Sequence, residues 1–326
     1  MKPFVNLRVA AALIVAGMMA AASAGSALAQ TYPSKPVRII IGNPPGSVVD
    51  VTIRPVAEEL TRRMGQPVIV ENRPGANSRI GAKAVVGASP DGYTLFYSLV
   101  MQSHSLFVRE NAVDAGKDLL PVSQLVSTPW VLVVRSSLPV TTLQELVAYS
   151  KANPGSLKHG APAAIVDIPM KVLGDRAGFE SRSIPYKSSP QVMVALLSGE
   201  VDLGMGSAQT YTAQLQAGKV RALFALATKR VAVVPDVPAA SEVGLPNFEV
   251  PAYYGLWAPL GTPRDIIAKL SAEAAAAVRT PAIVEQIRKS SGGEALGTTP
   301  EEQMKQYEAE VRFWTEAIRA TGYKAE

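Results

Sequence analysis

The run Asn43-Pro44-Pro45-Gly46-Ser47-Val48, with Asp50 and Arg54 just beyond it, has the residue types and spacing best suited to chemistry, and that chemistry is anion binding. Ile39, Ile40 and Ile41 before it suit a strand covered on both faces. Pro44, Pro45 and Gly46 then stop the strand and let the backbone pass close to a ligand. A helix is predicted from about Val49 to Met64. Its first turn offers unpaired N–H groups and a partial positive charge, which favour a carboxylate or a phosphate. A plain chain reversal explains the glycine equally well on these grounds alone.

Catalytic signatures are sparse by comparison. The chain has two histidines, His104 and His159, without metal-ligand spacing, and no cysteine. It has no Gly-x-Ser-x-Gly elbow and no P-loop. Gly204-Met205-Gly206-Ser207-Ala208-Gln209 follows a predicted strand but lacks the third glycine of a dinucleotide motif and the acidic residue that should follow it. Asp50 and Asp167 fall near predicted helix starts, where carboxylates cap N–H groups, and Asp202 falls in a short predicted strand. His104 reads as a hydrogen-bonding or solvent-facing loop residue. The expectation is therefore no enzyme, no cofactor and no metal, with a secreted hydrolase using Asp50 or His104 as the competing catalytic reading.

The elements that must position the turn follow an α/β rhythm. Gly65 ends the first helix, Val68–Val70 is a second strand, Ile80–Ala88 a second helix and Tyr93–Ser98 a third strand. Such βαβαβ units bind ligands beyond the carboxyl ends of their strands, which brings the Pro44–Ser47 turn and the Ser98–His104 loop to one crevice. A second α/β unit opens at Trp130, with strands predicted at 182–184, 201–203 and 220–226. Its loops at 160–165, 185–189 and 205–209 fall on one edge. Helices beginning at Thr262-Pro263, Thr280-Pro281 and Thr299-Pro300 close the chain, the last with Glu302 completing a capping box. Tyr307, Phe313 and Trp314 of that last helix are expected to pack onto the body.

The ends and the composition set the compartment. Lys2 and Arg8 precede an apolar run from Val9 to Ala22 and an Ala27-Leu28-Ala29 cleavage pattern, so residues 1–29 read as a removed secretory signal and the mature protein as periplasmic. The whole chain carries a formal charge of +5, with basic residues scattered singly or in pairs and no interleaved aromatics, which argues against nucleic acid. Without cysteine, an exported protein must hold itself together through its core.

Many short motifs in order carry a resemblance across the mature chain. They include Ser34–Ile40, Pro44-Pro45-Gly46 with Asp50 and Arg54, Gly65–Val68, Glu71–Gly75, Ile80–Ala82, Pro90–Tyr93, Pro185–Lys187, Gly199–Asp202, Ala217–Ala222, Pro235–Pro238, Gly261–Pro263 and Thr298–Glu301. In these the chain resembles the periplasmic solute-binding proteins of tripartite tricarboxylate transporters, the Bug family. The resemblance implies a type II-like Venus flytrap of two doubly wound α/β domains joined by a hinge. Residues 30–129 with 251–326 would form domain 1 and residues 130–250 domain 2. It implies a monomer that delivers a small carboxylate to membrane permease subunits, with presentation to a sensor kinase as the alternative.

The ligand residues that the family pattern implies in domain 1 are Asn43, Pro44, Pro45, Gly46, Ser47, Val48, Ser98, Met101, Gln102 and Ser103. Those in domain 2 are Gly160, Ala161, Pro162, Ala163, Tyr186, Lys187, Ser207 and Ala208. Asp50, Arg54 and Arg73 are expected to be structural. Where the family has a hydroxyl-rich loop this chain has Leu99-Val100-Met101, from which an aromatic or apolar ligand body is expected.

Overall fold

Two sheets, each built around three parallel strands, organise the chain in a computed structural model that describes residues 32–324 apart from 100, 102, 103, 108–111, 247 and 251. The expected signal segment lies outside the described residues. The chain divides into Met1–Ser34 and Lys35–Glu326, and both sheets belong to the second unit.

The first sheet is six-stranded, in the order β11-β4-β10-β3-β1-β2. Its parallel heart is β1 (Val37–Ile41), β2 (Val68–Asn72) and β3 (Thr94–Ser98), linked by α1 (Val48–Met64) and α2 (Arg79–Val86). Every residue of β1 except Arg38 is buried, which is why its sequence is almost unbroken Val and Ile. Gly65, at φ +67, ends α1 in the left-handed conformation that its sequence position foreshadows. β4 (Leu119–Ser127), β10 (Tyr253–Pro259) and β11 (Glu294–Ala295) complete the sheet with antiparallel pairings. α7 (Arg264–Val278), α8 (Pro281–Ser291) and α9 (Pro300–Thr321) close this part, with Thr299 and Glu302 forming the expected capping box. Trp314 is fully buried, edge-on to Phe107 at 5.1 Å, while Tyr307 meets Trp257 at 5.6 Å.

The second sheet, β7-β6-β8-β5-β9, is five-stranded. β6 (Lys158–Ala161), β7 (Arg182–Pro185) and β8 (Leu203–Ser207) are parallel, while β5 (Trp130–Arg135) runs antiparallel to both β8 and β9 (Val220–Ala225). Helices α3 (Leu143–Ala152), α4 (Ala164–Ala177), α5 (Ser189–Ser198) and α6 (Ala208–Gln216) connect the strands.

Two expectations need correction here. The strand expected at 201–203 runs instead over Leu203–Ser207, so Asp202 precedes it and Gly204 and Gly206 lie inside it. A Cβ on Gly204 would sit 2.8 Å from Leu196 and 2.9 Å from the Tyr211 hydroxyl, so this glycine serves close helix–sheet packing rather than a loop. Gly160 likewise belongs to β6, where a Cβ would meet Val192 at 2.5 Å. The chain passes between the sheets at 127–130 and again at 225–253. The two passages run side by side, with the Thr128 N–H donating to the Ala252 carbonyl at 3.0 Å.

Candidate functional site

Strand register brings the candidate residues to one place. Gly255 pairs with Ser98 and Tyr253 with Ser127, so the carboxyl ends of β1 and β3 lie at the same end of their sheet as the passage into β5. Trp130 pairs with Ser207, and β6 and β7 run parallel with β8, so the carboxyl ends of those strands also lie beside that passage. The two sets of strand ends therefore lie on either side of the same passage, at the end of the strands where α/β folds take their ligands.

On the first side the turn is built as a cradle. Gly46 adopts φ +77, and Ser47 caps α1 by accepting from the Asp50 N–H at 3.3 Å. The Gly46 N–H donates to the Asp50 carboxylate at 2.9 Å and the Ser47 N–H to the Pro44 carbonyl at 3.3 Å. Val48 and Val49, the first residues of the helix, have no acceptor within it for their N–H groups. Asn43, Ser47 and Val48 are half-buried, while Pro44, Pro45 and Gly46 are exposed. Asp50 also accepts from Arg54 at 2.6 Å and from the Asn72 amide at 3.1 Å. Asn72 in turn donates to the Asn43 carbonyl at 3.0 Å. Arg54 bridges Asp50 and Asn72, and Arg73 pairs with Glu71 at 2.7 Å.

Burial pushes the Asp50 carboxyl up, but its bonds from Arg54, Gly46 and Asn72 outweigh this and hold it below the usual carboxylate range. The folded chain then binds this proton less readily than the unfolded chain. Its contribution is complete above the unfolded pKa of about 4 and is lost as pH falls through the lower folded value. We expect Asp50→Asn to flatten the fall in melting temperature below pH ~4 relative to the wild type. Parallel acid profiles for the two proteins would show no role for Asp50.

Residues that sequence reasoning missed hold the cradle from behind. Ala76, Asn77 and Ser78 lie at φ +48, +51 and +69, a left-handed turn of three non-glycine residues. It presents the Ser78 hydroxyl to Asn43 Oδ1 at 3.4 Å and to the Ser98 hydroxyl at 3.3 Å. The Pro74-Gly75 pair ahead of it was the available signal. Ser98 is thus a buried brace of the cradle. Leu99 and Met101 are buried too, at 3% and 0% exposure, so the expected apolar ligand wall is part of the core and Met101 lines no open surface. Gln102 and Ser103 lie outside the described residues.

On the second side, Gly160 and Ala161 are the buried end of β6, and Pro162 and Ala163 lead half-buried into α4. His159, fully buried, is held between Ser181 at 2.8 Å and Asp167 at 2.9 Å, and Asp167 also accepts from Lys171 at 2.8 Å. Burial raises the Asp167 carboxyl, but the His159, Lys171 and Ser183 bonds prevail and hold it far below its ordinary range. Tyr186 and Lys187 open onto a concavity of about 790 Å³ with Pro190 and Glu200, and the Tyr186 N–H donates to the Ala161 carbonyl at 3.0 Å. Ser207 is the N-cap of α6, and Ala208 has no exposed surface and so is a packing residue.

Ser181, His159 and Asp167 are hydrogen-bonded in the order hydroxyl, imidazole, carboxylate, with the imidazole fully buried. Asp202 accepts from Arg135 at 2.8 Å and from the Lys158 N–H at 2.9 Å. Buried His104 accepts from the Leu106 N–H at 3.0 Å and lies 3.6 Å from Asp114. Among the described residues no group of His and acidic side chains is arranged to hold a metal, and no helix is long and apolar enough to cross a membrane.

The model of the tripartite tricarboxylate transporter family receptor matches residues 52–323. A UPF0065 protein of Bordetella pertussis is 33% identical over 292 residues, 87% of this chain and 88% of the relative. A Rhodopseudomonas palustris protein solved with adipate superposes with a TM-score of 0.82 at 26% identity, over 90% of this chain and 100% of that one. MatC from the same organism, solved with bound malate, superposes with a TM-score of 0.76 at 27% identity, over 88% of this chain and 100% of its own.

Proposed function

The chain belongs to the tripartite tricarboxylate transporter receptor family, and on that premise we propose that it is an exported receptor that captures a small carboxylate between its two lobes and delivers it to membrane permease subunits. The observation that carries this reading is the convergence of strand carboxyl ends from both sheets on one crevice. One side of that crevice is a glycine turn and a helix N-terminus with N–H groups to spare. The passages at 127–130 and 225–253 supply the hinge, with domain boundaries at about 129/130 and 250/251. Residues 1–29 act as the export signal.

Two solved neighbours carry adipate and malate, both dicarboxylates, which supports the same ligand class here. Because the crevice has neutral donors on this side and a carboxylate, Asp50, already satisfied behind the turn, the ligand acid is bound by N–H groups rather than by an arginine clamp. The test is a thermal-shift screen of the mature protein, refolded to strip carried-over ligand, against mono- and dicarboxylates. A ligand at ~100 times its dissociation constant adds about 2.7 kcal/mol, enough to raise the melting temperature by several degrees. No shift with any carboxylate would overturn the assignment.

A further inference from the structure

A polar cluster beneath α4 reaches the amino end of β7, away from the strand ends where the ligand is placed, and the receptor reading makes no use of it. His159 pairs with Ser183 in the parallel β6–β7 ladder, and Ser181 stands two residues before Ser183, so the three side chains share one face of the sheet. α4 lies over that face and adds Asp167 and Lys171, one helical turn apart. Ser181 Oγ is 2.8 Å from His159 Nδ1, and His159 Nε2 is 2.9 Å from Asp167 Oδ1.

The protons in this chain of bonds follow from the charges. Burial works against the charged form of Asp167, but the bonds from His159, Lys171 and Ser183 prevail and keep it ionised, so the carboxylate accepts and does not donate. A neutral imidazole must then donate from Nε2 to Asp167 and accept at Nδ1 from the Ser181 hydroxyl. That order lets an imidazole draw the proton from a serine, with the two ring nitrogens exchanging the roles they have in serine proteases. Lys171 pairs with the other carboxylate oxygen, Oδ2, at 2.8 Å and so fixes Asp167 without displacing His159.

Access and charge stabilisation come from the edge of the sheet. His159 is fully buried, whereas Ser181 keeps part of its surface in solvent. β7 is an edge strand. With the Arg182 N–H donated inward to the Leu157 carbonyl at 2.9 Å, the Ser181 N–H points off that edge, where it can stabilise negative charge on a carbonyl or phosphoryl oxygen.

We propose that Ser181 is an activated serine, a covalent modification site for small activated esters and phosphonyl fluorides, with His159 as its base and Asp167 as the residue that orients the base. Ser181 Oγ attacks the acyl carbon or the phosphorus as its proton passes to His159 Nδ1. With an ester, the Oγ–C bond forms, the bond to the leaving oxygen breaks, and the alcohol departs with that proton. With a phosphonyl fluoride, the Oγ–P bond forms, the P–F bond breaks, and the proton departs with fluoride. A cluster that only ties α4 to β6 and β7 predicts instead a serine of ordinary reactivity.

Labelling of the mature protein with an alkyl fluorophosphonate, read by intact mass and peptide mapping, tests this. The wild type is expected to gain one adduct, on Ser181, ~10²–10⁴-fold faster than Ser181→Ala gains any. Asp167→Asn keeps the side-chain shape but loses the acceptor that fixes the imidazole tautomer, and is expected to label ~100-fold more slowly or less. A cooperative melting curve shows that each variant is folded. Where Asp167→Asn does not fold, the comparison of wild type with Ser181→Ala decides alone. Labelling of Ser181 no faster than of the other serines would overturn the proposal. So would a folded Asp167→Asn protein that labels at the wild-type rate.

Discussion

Gly46→Val is expected to weaken capture of the ligand ~100-fold or more while costing the fold only about 1–2 kcal/mol. At φ +77 this glycine occupies a conformation that L-residues avoid, and valine there costs about 1–2 kcal/mol. Nothing in the protein lies within 4 Å of a Cβ placed on it, so no core contact is disturbed. The Gly46 N–H that holds Asp50 belongs to the backbone and survives the change. The added methyl groups instead stand in the open space before the first turn of α1, where the incoming acid must approach the N–H groups. We expect affinity for the best ligand of the thermal-shift screen to fall ~100-fold or more, about 2.7 kcal/mol. Gly46→Ala, with the same backbone penalty and less bulk, falls between. Calorimetry beside a ligand-free melting curve separates the two effects. Wild-type affinity in a folded Gly46→Val protein would remove the turn from the binding site.

That cradle was legible in the sequence because its parts are local. Pro44, Pro45 and Gly46 interrupt a strand, Ser47 caps the next helix, and Asp50 and Arg54 fall one and two turns into it. What braces the cradle was not legible. Asn72, Ser78 and Ser98 come from three other segments, and the parallel pairing of β1 with β2 and β3 brings Asn72 to Asn43 and Asp50, Ser78 to Asn43, and Ser98 to Ser78. Glycine misled in the second sheet, since it marks a turn or a close neighbour equally well, and at Gly160 and Gly204 it marked the neighbours Val192 and Leu196. β4 escaped notice because Pro121, Ser123 and Gln124 break its alternation. Its partner β10 lies far along the chain and pairs with it through two register shifts. Met101 was misread for a related reason: an apolar residue in a loop can face the core as readily as a ligand. Trp130 was read only as the opening of a strand, and its unpaired N–H becomes apparent only when the strand opposite is known.

The largest loss of stability near the site is expected from the smallest change, Gly42→Ala at the end of β1. A Cβ there would overlap the Ser78 hydroxyl and lie 2.6 Å from its Cβ and 2.7 Å from its Cα. The hydroxyl can rotate away, but the backbone at Cα cannot. A Cβ on Gly81 would in turn approach the Gly42 Cα to 3.0 Å, so β1 and α2 touch through two facing glycines. That closeness is what Ala76, Asn77 and Ser78 accommodate in their left-handed turn, and separating the two elements would undo the brace on Asn43 and Ser98. Overpacking at such a contact costs about 3 kcal/mol. Melting is then lowered by about 6–12 °C. Ligand affinity falls with it, because the turn loses its support. Adding Ser78→Gly removes the hydroxyl and Cβ and suits φ +69, yet leaves the Cα at 2.7 Å, so it recovers only part of the loss. Should Gly42→Ala melt and bind like the wild type, β1 and α2 would have room to spare, and the strain in the turn would need another cause.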